Sequence, residues 1–213
     1  MKFLDRVDAG RRVAAALAHL RGQPDLLVLA LPRGGVPVAA EVALALGAPL
    51  DLCFAHKIGA PDNPEFAIGS VAETGAPHID EQLIQSMRIP YSYIRAESAY
   101  QQEELARRAM HYRGTRPAPE IVGKWVVLVD DGVATGSTAR AALLALRAQI
   151  PSRLIFATPV ASADTIQRLA ACADELVVLH APAVFFSVGE FYDRFLQVSD
   201  GEVMATLLSS VPE

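Results

Sequence analysis

The stretch Trp125–Thr138, WVVLVDDGVATGST, decides the reading of this chain. An apolar run, Val126–Val129, ends in two adjacent acids, Asp130 and Asp131. A loop of small residues follows, Gly132-Val133-Ala134-Thr135-Gly136, and Ser137 and Thr138 open a helix predicted over Ser137–Ala148. The first amide N–H groups of a helix have no intrahelical partner, and the helix dipole is positive there. Together with the loop amides they form a concave donor array suited to a phosphate. Gly132 and Gly136 let the backbone approach closely, while Thr135, Ser137 and Thr138 add hydroxyl donors. Carboxylates at a strand end are poor phosphate ligands but good acceptors for ribose hydroxyls. A ribose 5-phosphate, diol at one end and dianion at the other, matches both halves. Read blandly, the same residues make an ordinary strand–turn–helix junction. The loop lacks the Lys and the glycine spacing of a Walker A motif, and the chain contains no GxGxxG, GxSxG or HExxH.

Outward from this segment, short continuous apolar runs alternate with helical periodicity, the pattern of a parallel sheet covered on both faces. Strands are predicted at Leu26–Leu31, Leu50–Ala55, Phe66–Val71, Val126–Val129, Leu154–Val160 and Glu175–Leu179. Helices are predicted at Asp5–Leu20, Val36–Gly47, Ala163–Ala171 and Asp200–Leu208, the last capped by Asp200 or Ser199. Ile79–Arg113 reads as helical with a break at Pro90 and exposed i,i+4 pairs Glu103/Arg107 and Glu104/Arg108. Arg113–Gly123 reads as a linker. These elements describe one α/β domain over residues 1–213, an open and mainly parallel sheet with a helical insertion at 72–120.

With 52% hydrophobic and 20% charged residues over 213 positions, the composition is globular. No apolar run reaches membrane-spanning length, and the charged opening MKFLDRVDAGRR has no signal-peptide core, so a cytoplasmic protein is expected. A net charge of −5 argues against nucleic-acid binding through the overall field. Cys53 and Cys172 form no CxxC pair and are expected to be buried free thiols.

VVLVDDGVATGST closely resembles the phosphoribosyl pyrophosphate signature of type I phosphoribosyltransferases. The resemblance implies that Asp130 and Asp131 hold the ribose hydroxyls, directly or through Mg²⁺, and that Ala134–Thr138 cradle the 5′-phosphate. LALPRGGVPVAAEVA (Leu29–Ala43) resembles the family's pyrophosphate loop, which would give Arg33, Gly34 and Gly35 to the leaving group. That loop often holds a cis peptide in the family. Lys57, one of three lysines with Lys2 and Lys124, stands where the family places a basic residue near the pyrophosphate. It also reads as a solvated surface lysine, and His56 beside it as structural. The Gly- and Pro-rich remainder of Ala55–Ser70 reads either as a mobile lid or as a plain surface loop. VFFSVGEFYDRF (Val184–Phe195) loosely resembles the region where purine-type members stack the base, which would make Phe186 the stacking ring and Tyr192 or Asp193 an accessory contact. The same aromatics also suit simple packing of the C-terminal helix. One departure stands out: purine-salvage members carry an acid in the phosphate loop where this chain has Ala134, so a 6-oxopurine acceptor is not implied.

The resemblance therefore implies a Mg²⁺-dependent transferase moving ribose 5-phosphate from phosphoribosyl pyrophosphate to a small-molecule acceptor, and family members often pair as homodimers. Two other functions use the same residues. A non-catalytic regulator would bind the ligand without chemistry, and a phosphosugar hydrolase would need a nucleophile that the sequence does not supply.

Overall fold

The structure, a computed structural model, describes residues 1–209. Its centre is a five-stranded, wholly parallel sheet built from β1 (Leu26–Ala30), β2 (Leu50–Leu52), β6 (Trp125–Val129), β7 (Arg153–Val160) and β8 (Glu175–His180). Their spatial order is β2-β1-β6-β7-β8. The continuous apolar runs are explained by burial on both faces. Along β1, Leu26, Val28 and Ala30 face one hydrophobic core while Leu27 and Leu29 face the other. Val127 and Val129 of β6 join the first core, and Val126 and Leu128 the second.

Helices cover both faces. The first core takes in α1 (Arg6–Ala16), α2 (Gly35–Leu46) and α7 (Asp200–Ser209), and the second takes in α5 (Ser137–Arg147) and α6 (Ala163–Ala170). Asp5 caps α1 by accepting the Asp8 N–H. At the start of α7 the cap is Ser199, whose hydroxyl takes the Glu202 N–H at 3.2 Å while the Glu202 carboxylate accepts the Ser199 N–H at 2.8 Å, a reciprocal capping box. Asp200, the other candidate, is occupied elsewhere.

The region between β2 and β6 departs from expectation. Leu50–Ala55 is not one strand: the chain leaves the sheet after Leu52, and Ala55 opens β3 (Ala55–Ala60). Phe66–Val71 does lie in a strand, β4 (Asn63–Ala72), but one that turns back antiparallel on β3 across the two residues Pro61 and Asp62. The stretch read as lid or loop is thus a β-hairpin. β5 (His78–Ile79) adds a third strand where the helical reading began, and the helices follow as α3 (Glu81–Ser86) and α4 (Tyr91–Arg113), separated at Pro90. On α4 the ion pair is Glu104 with Arg107 at 2.6 Å, an i,i+3 contact, and Arg108 turns instead toward the Phe54 ring. Ile58 and Ile68 of the hairpin bury against the same core as Ile94 and Leu105 of α4, and the outer face of the hairpin meets α5.

Arg113, the last residue of α4, anchors this insertion to the main sheet. Its side chain is only 3% exposed and reaches Asp51 on β2 at 2.9 Å and Glu73 beyond β4 at 2.7 Å. Removing one member of such a buried cluster leaves the other charges unmatched, at a cost of about 3–5 kcal/mol. Arg113→Met is therefore expected to lower the unfolding free energy by roughly 3 kcal/mol, read from the urea midpoint at constant slope. A loss below roughly 1 kcal/mol would show that the cluster is not what docks α4.

Candidate functional site

β1 and β6 run side by side with Ala30 opposite Val129, and the Leu31 N–H donates to the Val129 carbonyl at 2.9 Å. Immediately beyond, the two strands feed loops whose helices leave on opposite faces of the sheet. In open α/β sheets that divergence creates the crevice where ligands bind. Here it opens into a cleft of about 520 Å³, with Pro32, Arg33 and Gly34 on one side and Asp130, Asp131 and Thr138 on the other.

Each loop ends at a helix start that no side chain caps. Among the described residues, the amides of Arg33 and Gly34 in the first loop, and of Ala134, Thr135 and Gly136 in the second, donate to no protein acceptor. The free first-turn N–H groups of α5 add to the second set. Gly136 stands at φ +74, a left-handed conformation that side chains disfavour, and a Cβ there would sit 2.6 Å from Thr165. Gly34 serves by absence of volume, since a Cβ would run into the Asp131 carboxylate. The Pro32–Arg33 peptide is cis, in the loop where the resemblance implied such a bond.

The acids are differently held. Asp131 is fixed at three points: its carboxylate accepts from Arg6 Nε at 2.7 Å, its carbonyl from the Tyr192 hydroxyl at 2.5 Å, and its N–H donates to Asp130 at 2.9 Å. Arg6 also donates to the Leu196 carbonyl at 2.6 Å and rests its guanidinium over the Phe195 ring. Phe195 and the following Leu196, Gln197 and Val198 wall the cleft opposite the loops.

The structure brings Asp130, Asp131, Arg33, Gly34 and Thr138 to one cleft. Arg33 also pairs with Asp200 at 3.3 Å, and Tyr112 donates to the same carboxylate. Lys57 does not share that lining. It lies on β3 in an adjoining cavity of about 240 Å³ with Ser137, Thr138 and Ala141, paired with Glu65 at 2.7 Å. Phe186 is 81% exposed and is not among the residues lining the cleft. Tyr192 is buried beneath the site, and Asp193 is bound to Lys2 at 2.7 Å beside the Phe3–Tyr192 bridge. Arg6 and the segment 195–198 were not anticipated. Arg6 belongs to no motif, and in the aromatic-rich stretch that Phe195 closes the resemblance pointed to Phe186 instead.

A family model described as the phosphoribosyl transferase domain matches residues 4–193. The chain belongs to that family. Two Mycobacterium tuberculosis proteins, of strains CDC 1551 and H37Rv, whose names carry the words phosphoribosyl transferase, are 43% identical over 205 residues. The match takes in 96% of this chain and 46% of theirs, so the chain spans about half the length of these relatives. The crystal structure of TT1426 from Thermus thermophilus is 45% identical and superposes over the whole of both chains with a TM-score of 0.90.

In this phosphoribosyl transferase family member, burial pushes both carboxyls up from the ordinary aspartate value of 3.8. Asp130 rises furthest, from desolvation first and then from the neighbouring Asp131 charge. For Asp131 desolvation is opposed by the Arg6 hydrogen bond and charge. A carboxyl raised in the folded state binds its proton more tightly there than in the unfolded chain. Stability therefore falls as pH rises from 3.8 through the raised value, and the destabilisation is fully present once the buried carboxyl has lost its proton. Asp130→Asn is expected to raise the thermal midpoint at pH 7.5 by a few degrees, and the gain is expected to shrink as pH falls toward 3.8, where the carboxyl is protonated in the folded and unfolded chain alike. Calorimetry in steps from pH 7.5 down to pH 4 checks this; a gain that grows on acidification would contradict it.

Proposed function

We propose that this chain is the catalytic unit of a Mg²⁺-dependent phosphoribosyltransferase, which moves ribose 5-phosphate from phosphoribosyl pyrophosphate to a nitrogen acceptor and releases pyrophosphate. The observation that carries the reading is the pairing, beyond the C-terminal ends of β1 and β6, of two unpartnered amide arrays with a buried acidic pair between them. The array of Ala134–Thr138 suits the 5′-phosphate, and Asp130 and Asp131 suit the ribose 2′ and 3′ hydroxyls as acceptors. The Arg33 guanidinium with the Arg33 and Gly34 amides suits the pyrophosphate, whose developing negative charge a preorganised cation and amides stabilise as the C1–O bond breaks. Gly35, expected to join them, instead donates its N–H to the Leu31 carbonyl at 3.0 Å. Lys57, placed beside Ser137 and Thr138, adds its charge from the phosphate side of the ligand.

No group of three or more His, Cys, Asp or Glu side chains gathers around a common point among the described residues. Asp130 and Asp131 could therefore complete a Mg²⁺ shell only with ligand and water oxygens, a donor set that suits an ion reluctant to give up its waters. When bound, Mg²⁺ supplies charge neutralisation to the leaving pyrophosphate. The acceptor side is the wall of Phe195–Val198 with Arg6.

Isothermal titration of phosphoribosyl pyrophosphate, with and without Mg²⁺, tests the reading against wild type and the Asp130→Asn/Asp131→Asn double variant. Each lost charged hydrogen bond is worth about 1.5–3 kcal/mol, so the double variant is expected to bind about a hundredfold or more weaker. Unchanged binding in the double variant overturns the assignment. Pyrophosphate release without any acceptor points to the hydrolase, and tight binding with no release across an acceptor screen points to a regulator.

A further inference from the structure

We propose that Thr165, at the start of α6, is a positioning residue for the phosphate-binding loop, holding the Ala134 carbonyl so that the Thr135 N–H faces the ligand. The proposal rests on the phosphoribosyl reading above and concerns a helix that contributes nothing to the lining of the cleft.

The Thr165 hydroxyl is fully buried and donates to the Ala134 carbonyl at 2.6 Å. Ser162 Oγ approaches the same carbonyl at 3.2 Å and Thr165 Oγ1 at 2.9 Å. From the solvent side, Arg168 Nη2 donates to Thr165 Oγ1 at 3.1 Å, so a cation polarises the hydroxyl that does the holding. The loop is gripped on its other flank by main chain: the Val133 N–H donates to the Val160 carbonyl at 2.8 Å, and the Ser162 N–H to the Val133 carbonyl at 3.3 Å.

This hydroxyl is not needed to build α6. The helix is capped by Ser162, which takes the Thr165 main-chain N–H, and any residue supplies that group. The hydrogen that the side chain donates goes to the loop. The Ala134 carbonyl and the Thr135 N–H share one planar peptide and point in opposite directions. Drawing the carbonyl toward α6 therefore turns the N–H to the open side, where Thr135, Ser137 and Thr138 stand exposed. The same bond keeps a carbonyl oxygen, which would repel a dianion, away from the phosphate. A peptide free to rotate would offer a ligand either pole.

The test compares Thr165→Val, which keeps the shape and removes the donor, with Thr165→Ser, which restores it. Affinities are measured by titration for phosphoribosyl pyrophosphate and, separately, for inorganic pyrophosphate, each with Mg²⁺. Thr165→Val is expected to weaken phosphoribosyl pyrophosphate binding about tenfold and to leave pyrophosphate binding unchanged, with Thr165→Ser returning to within about twofold of wild type. Equal losses for both ligands, no loss, or no rescue by Ser overturns the proposal. Should Thr165→Val fail to fold, Arg168→Met on the surface decides: a two- to threefold loss confined to phosphoribosyl pyrophosphate is expected, and unchanged affinity overturns it. A wild type that binds pyrophosphate but not phosphoribosyl pyrophosphate defeats the functional reading itself, a pattern distinct from all of these.

Discussion

The contact on which the site depends is the main-chain bond that joins the ends of β1 and β6, from the Leu31 N–H to the Val129 carbonyl. It sets two parallel strands level just where their helices part company, α2 to one face and α5 to the other. Had both helices crossed on the same face, one would have covered the other's first turn. Because they diverge, two helix starts point their spare N–H groups into a shared crevice, and the acids at the end of β6 fall between them. Everything else at the site adjusts this arrangement rather than creating it.

That geometry conflicts with the stability of the chain. Amides without partners and carboxylates out of water are both unfavourable in a folded protein, and here they sit within a few residues of each other. The structure compensates only one of the two acids. Arg6 and Tyr192 immobilise Asp131, whereas among the described residues the hydrogen bond to the Asp130 carboxylate comes from the Asp131 N–H. The asymmetry separates the acids by role: one is held rigidly, and the other keeps its unmet demand for a proton, a cation or a hydroxyl.

The sheet and the loop that follows β6 were legible because their signals are local. A run such as Val126–Val129 can be buried on both faces only inside a parallel sheet, and Asp130–Thr138 carries its turn, its donors and its acceptors in consecutive residues. The hairpin was not, since LDLCFA continues without a break from β2 into β3 and hydrophobicity does not mark where a chain changes sheets. Nor was the far wall of the cleft. Arg6 matters through a residue far away in sequence, and the resemblance pointed to Phe186 over Phe195 because hydrophobicity does not say which of these rings packing turns toward the cleft. Side-chain pairing on α4 likewise depended on Phe54, which draws Arg108 away from the helix surface.

Arg6 also sets an order of assembly. Its guanidinium reaches Asp131 across 125 positions of sequence and Leu196 across 190. In the chain the cation precedes the acid, and the strap that closes over both follows the acid. The loop after β6 and its acids form from neighbouring residues, whereas the wall of the cleft needs contacts between distant ones. Closing so long a loop is slow compared with forming local structure, so the wall beside Asp131 completes the cleft after the loop has formed.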